Sequence, residues 1–95
     1  MLLAIDIGNT TITLGVVQNG RVKKVWNIET VLPEAELKVK LQAFVKRFKK
    51  HYAGIKGILI CSVVPKVLKI VDSIAERALK INPLVVGRDI LVWQQ

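Results

Sequence analysis

The sequence predicts an α/β fold: a mixed five-stranded sheet built in the order βββαβαβ, with helices covering it. Three observations carry this. The chain opens with three runs rich in β-branched residues, LLAID, TITLGVVQ and RVKKVWNIE. Asn19-Gly20 separates the second from the third, and such a pair is the strongest short hairpin signal, because a type I′ turn needs positive φ at both central residues. Beyond residue 33, two stripes of apolar residues at helical spacing alternate with the runs GILICSVV and PLVVG. A meander followed by alternating helix and strand gives a mixed sheet.

LLAID reads as a buried strand and TITLGVVQ as its hairpin partner. In RVKKVWNIE the apolar members are Val22, Val25 and Trp26. Thr30-Val31-Leu32-Pro33 connects to a helix whose start is marked by Glu34 and Glu36, acids that meet the positive end of the helix dipole. Leu37, Leu41, Phe44, Phe48 and Tyr52 form its apolar stripe, with Lys38, Lys46, Arg47, Lys49 and Lys50 off it. Gly54 and Gly57 end this region. GILICSVV is the next buried strand, with Cys61 expected to be a buried, inert thiol. Pro65 suits the first turn of a second helix, reaching to about Lys80 with Val67, Ile70, Val71, Ile74 and Ala78 inward. Asn82-Pro83 stops it, and PLVVG is a last short strand closed by Gly87.

At 95 residues, with 52% hydrophobic and 23% charged residues, the chain (1–95) is expected to form one packed domain. The longest uncharged stretch is too short to span a membrane, no signal peptide is expected, and a single cysteine excludes an internal disulfide. A cytoplasmic location follows. The net charge of +8 points to anionic partners. Seven bases and no acid lie between Leu37 and Lys56. The aromatic residues among them, Phe44, Phe48 and Tyr52, belong to the apolar stripe and the bases lie off it, so nucleic acid is not the expected partner.

The chemistry concentrates in DIGNTT, residues 6 to 11. A glycine-containing turn can converge N–H groups on an anion, and Gly8 lets a phosphate approach the main chain closely. Asn9, Thr10 and Thr11 add side-chain donors. Asp6 would repel a phosphate unless a divalent cation stood between them, and Mg²⁺ is held in this way, by one or two carboxylates with waters and phosphate oxygens. The competing reading has Asp6 capping the turn and Asn9 supplying a positive φ. In the second small-residue crossing, Cys61-Ser62-Val63-Val64-Pro65, Ser62 or Val64 lies at a helix cap. His51 has no neighbouring acid or cysteine to complete a triad or metal cluster. Trp26 and Trp93 read as packing residues. No residue is assigned as catalytic.

MLLAIDIGNTTITLGVV, SVVP and PLVVG, at these separations, resemble the N-terminal half of type III pantothenate kinases, in the actin, sugar kinase and Hsp70 superfamily. The resemblance covers almost the whole chain. It implies a ribonuclease H-like, actin-like ATPase half-domain, with Asp6, Gly8, Asn9, Thr10 and Thr11 in the first phosphate loop for ATP and Mg²⁺, and a monovalent cation as a further cofactor. The implied reaction transfers the γ-phosphoryl group of ATP to pantothenate, the first step of coenzyme A synthesis, mainly by positioning and charge stabilisation. In the family a second domain closes the cleft and brings a Gly-x-Asp-Arg segment with the base. That segment does not occur here; Gly87-Arg88-Asp89 only resembles it in composition and is not assigned its role. The chain is therefore expected to bind nucleotide, to need a complete cleft for pantothenate, to be inactive alone and to form a homo-oligomer. Leu84, Val85 and Val86 and the tail residues Ile90, Leu91, Val92 and Trp93 are the expected contact segments. The alternative is a non-enzymatic basic binding or scaffold module of the same fold.

Overall fold

Alternation of apolar and small or polar residues in the first two strands places one row of large side chains on a single face of the sheet. In the computed structural model, which describes residues 1–52 and 54–86, β1 (Leu2–Ile7) and β2 (Thr11–Gln18) pair antiparallel, with Leu3 opposite Val16, Ile5 opposite Leu14 and Ile7 opposite Ile12. All six are buried. β2 turns at Asn19-Gly20 into β3 (Arg21–Glu29). Both turn residues have positive φ, 55° and 74°, as the type I′ reading requires.

The chain then crosses through α1 (Glu34–His51) to β4 (Gly57–Ser62), and through α2 (Pro65–Leu79) to β5 (Leu84–Val85). β4 runs parallel to β1 and β5 parallel to β4, which gives the sheet order β3-β2-β1-β4-β5. In α1, Glu34 and Glu36 occupy the first turn and Lys49, Lys50 and His51 the last, both favourable to the helix dipole. Pro65 takes the first turn of α2, and Lys80, at φ 56°, ends it in the left-handed region, two residues before the Asn82-Pro83 stop.

Buried residues from the two helices, Leu37, Leu41, Val45 and Phe48 of α1 with Val67, Val71 and Ala75 of α2, face the same sheet side as Leu3, Ile5, Leu14, Ile58, Ile60 and Val85. Val45 and Ala75 extend the expected stripes. Ile70, Ile74 and Ala78, expected inward, are only half-buried, because they lie towards the edge of the α1–α2 contact. The described helices thus cover one face. Across the other lie Ala4, Gly15, Val17, Val22, Val25 and Leu59, around a shallow hollow of about 320 Å³.

That one-sided cover corrects one expectation, for Cys61, and leaves two valines of β3 exposed. Cys61 is exposed, not buried, because strand alternation sends Ile58 and Ile60 to the helices and Leu59 and Cys61 to the open face. Val22 and Val25 are 61% and 51% exposed. Three residues apart, they would point to opposite faces of a regular strand, but a register shift at Val16/Val17 sets Val22 against Val17 and Val25 against Gly15. The extra residue, Lys23, makes this a bulge that puts both valines on the open face. Within PLVV, Val85 belongs to the core, whereas Leu84 is half exposed. The tail residues Ile90, Leu91, Val92 and Trp93, and Gly87-Arg88-Asp89, lie outside the described residues. No helix among the described residues is long and apolar enough to cross a membrane.

Candidate functional site

The DIGNTT turn is a tight hairpin end. With Ile7 paired to Ile12, the Gly8 N–H donates to the Thr11 carbonyl at 2.9 Å, leaving Asn9 and Thr10 at the tip. Positive φ among the described non-glycine residues occurs at Asn19 and Lys80 only, so Asn9 does not supply one. Gly8 sits at a close approach: a Cβ built there would stand 3.1 Å from the Thr11 carbonyl oxygen, tight enough that the turn would have to give by a few tenths of an ångström. The approach that favours a glycine is therefore the chain's approach to itself.

Two bonds tie this tip into the domain. The Thr30 N–H donates to the Thr10 carbonyl at 2.8 Å, and the Val63 N–H donates to the Ile7 carbonyl at 3.1 Å. The turn therefore meets the end of β3 and the SVVP crossing at one edge of the sheet. Ser62 organises that crossing locally. Its hydroxyl accepts from the Val64 N–H at 3.0 Å and donates to the Val64 carbonyl at 3.1 Å. It caps no helical N–H; Val64 is the N-cap, without a side-chain bond. The crossing thus lies beside the DIGNTT turn, held there by the Val63–Ile7 bond, and its part is structural support.

Asp6, Asn9, Thr10 and Thr11 are all exposed. Asp6 is the last but one residue of β1, between the buried Ile5 and Ile7, and its own position in the alternation is outward. It pairs with Thr13 on one side and Cys61 on the other. Thr11 and Thr13 share that face and pair with Glu29 and Asn27, and the Thr13 hydroxyl donates to Asn27 Oδ1 at 3.0 Å. The open face thus has a polar end at the turn and an apolar remainder. Thr13, Asn27 and Thr30 were not singled out in the sequence. The i, i+2 spacing of Thr11 and Thr13 was the signal for the first, but Asn27 is found only through the register. Thr30 is 7% exposed, and its hydroxyl has no hydrogen-bond partner among the described residues.

The fit to a metal-bound phosphate rests on the donor set. The N–H groups of Asn9 and Thr10 donate to no protein group among the described residues, and three side chains with hydroxyl or amide donors surround them. No cluster of three or more His, Cys, Asp or Glu that could hold a metal occurs among the described residues. Asp6 would accordingly hold Mg²⁺ as a single carboxylate, with phosphate oxygens and water completing the shell, and this is how Mg²⁺ is ordinarily bound.

The fold recurs in solved structures. RuvC from Thermus thermophilus superposes with a TM-score of 0.65 at 19% identity, over 88% of this chain and 59% of that one. A ROK hexokinase from Thermus thermophilus gives 0.62 at 19% identity, over 90% and 32%. The ethanolamine utilization protein EutJ from Carboxydothermus hydrogenoformans gives 0.62 at 14% identity, over 92% and 44%. At these identities the likeness concerns the fold, which is the expected ribonuclease H-like, actin-like half-domain. In sequence, a type III pantothenate kinase from Bacillus cytotoxicus is 34% identical over 91 residues, 92% of this chain and 34% of that protein. The chain therefore spans about a third of the length of the curated relative it matches. The model of that family matches residues 2–93, including the turn, the SVVP crossing and the last strand. The chain belongs to the type III pantothenate kinase family.

Proposed function

We propose that this chain is the ATP- and phosphate-binding half of a type III pantothenate kinase, acting in the ATP-dependent phosphorylation of pantothenate in coenzyme A biosynthesis, in the cytoplasm. The observation that supports it most is the hairpin tip, where an exposed carboxylate stands one strand residue from a glycine turn with two N–H groups directed to no protein partner. Asp6 holds Mg²⁺, and Gly8 to Thr11 hold phosphate oxygens through backbone N–H and side-chain donors. The metal neutralises phosphate charge when bound. The chain's own contribution is to fix that charge at the end of a rigid, core-anchored hairpin, as phosphoryl transfer demands of its positioning groups. Pantothenate and the general base require the remainder of a family-length protein, so the chain alone is inactive and works as an oligomer or complex.

The test is Mg²⁺·ATP binding by calorimetry, with the chain complemented by the remaining two thirds of a relative. Asp6→Asn should weaken binding by at least about tenfold, roughly 1.4 kcal/mol, while ATP binding without metal is not weakened, because the unmetallated carboxylate only repels phosphate. Equal Mg²⁺·ATP affinity in the two proteins would remove Asp6 from the metal site.

A further inference from the structure

On the helix side of the sheet, away from the turn, β3 and α1 enclose a cavity of about 470 Å³. Its walls are the rings of Trp26, Phe44, Phe48 and Tyr52. Phe44, Phe48 and Tyr52 recur every fourth residue of the helix and stack as a ladder, with centroids 5.7 and 5.1 Å apart. Trp26 stands across the ladder, 5.2, 6.3 and 5.9 Å from the three rings and steeply inclined to each. All four rings pack on the core or on one another, but only Phe48 is fully buried, at 2% exposure; Trp26, Phe44 and Tyr52 stay half-buried, with the cavity open before them. The Lys24 ammonium lies over the Trp26 ring, 5.2 Å from its centre, a cation–π contact that sets a positive charge at the mouth of the cavity. Arg47 and His51 complete the rim, and among the described residues no carboxylate lines the cavity.

Ring walls with a few convergent polar groups, in a volume of several hundred Å³, are the make-up of small-ligand sites. Here the charged groups of the lining, Lys24 and Arg47, are both basic. We infer that this cavity binds a planar aromatic anion of mononucleotide size, its ring against Trp26 and Phe44 and its phosphate or carboxylate on Arg47 and Lys24. Arg47 supplies the planar, paired donors that such anions take. Trp26 pairs with Leu14 and Lys24 with Val16 on the helix side, whereas Asp6 lies on the open side of the same sheet, so this site is separate from the turn.

Titration of ¹⁵N-labelled chain with AMP, without metal, tests it. Saturable shifts are expected at the Trp26 indole N–H and at the amides of Lys24, Arg47 and His51. Adenosine, which lacks the charge, and ribose 5-phosphate, which lacks the ring, should each bind at least about tenfold more weakly, the scale of one stacked ring or one charge contact. The exposed double variant Lys24→Glu, Arg47→Glu should lose a similar factor with its fold intact, and Asp6→Asn should leave the affinity unchanged, which separates this site from the proposed kinase chemistry. Shifts confined to residues 6 to 11, no saturation at millimolar AMP, or full affinity in the double variant would each overturn the proposal. So would binding of oligothymidylate that strengthens with length while AMP does not bind, since that is a strand-binding groove.

Discussion

At the scale of single residues, the turn separates two demands that its sequence runs together. Gly8 serves the fold, since a methyl group would press to 3.1 Å of the Thr11 carbonyl. Asp6, by contrast, is exposed and lies outside the core, so the role proposed for it at the site makes no demand on the packing. Their variants should therefore fail differently. Gly8→Ala is expected to cost about 1–3 kcal/mol of stability, as overpacking of a close contact does, and urea unfolding measures this directly; an unmoved midpoint would show that the hairpin end yields without strain. Asp6→Asn is expected to unfold at the wild-type midpoint and to lose Mg²⁺·ATP affinity alone. Cys61 shows how a residue's neighbours in sequence mislead. ILICSVV is apolar throughout, but in a sheet covered on one side every second residue of a strand faces outward, and Cys61 is one of these.

At the scale of elements, the β2–β3 hairpin sets the edge of the sheet. Gly20 at φ 74° follows Asn19 at φ 55°. Gly20→Ala places a Cβ in the left-handed region, for about 1–2 kcal/mol. In a domain of this size that lowers Tm by about 4–8 °C per kcal/mol, and calorimetry at fixed pH measures it. A variant that melts with the wild type would mean the hairpin closes through another turn. The same hairpin carries the bulge at Lys23 that brings Val22 and Val25 to one face. The helices follow their patterning more directly. Their stripes fall close to where the 3.6 period puts them, since both helices lie on one flat, apolar surface and each needs only one buried face.

At the scale of the whole molecule, one sheet face is packed by both helices and the other has no described element over its apolar part. Val22, Val25 and Leu84 there are 61%, 51% and 50% exposed. Covering such side chains is worth up to about 1.5–3 kcal/mol each, and repulsion between surface charges is screened over about 8 Å at physiological salt. We therefore predict a homodimer or larger species by sedimentation velocity, shifted to monomer by Val25→Lys with Leu84→Lys. A wild-type chain that sediments as a monomer at high micromolar concentration would refute this. The remaining prediction at this scale is catalytic. A coupled assay of the purified chain should show no pantothenate phosphorylation, because a base must lie within hydrogen-bond reach of the hydroxyl it serves and none is assigned in this half. Turnover abolished by Asp6→Asn would show instead that the chain assembles a complete site.

The order of elements, the I′ turn, both amphipathic helices and the tight turn at DIGNTT could be read from the sequence alone, because each rests on local chemistry: a periodicity, a positive φ or a glycine beside polar residues. Even the family was carried by three short motifs at set separations, and the matching of residues 2–93 agrees with it. What sequence could not supply is which face of the sheet the helices choose. That choice buries Val85 and exposes Cys61 and Val25, turns Asp6 outward beside Thr13, and brings Trp26 of β3 over the ring ladder of α1. These are decided by pairing register and layer packing, which join residues far apart in the chain, and a strand's own pattern is the same whichever of its faces the rest of the molecule covers.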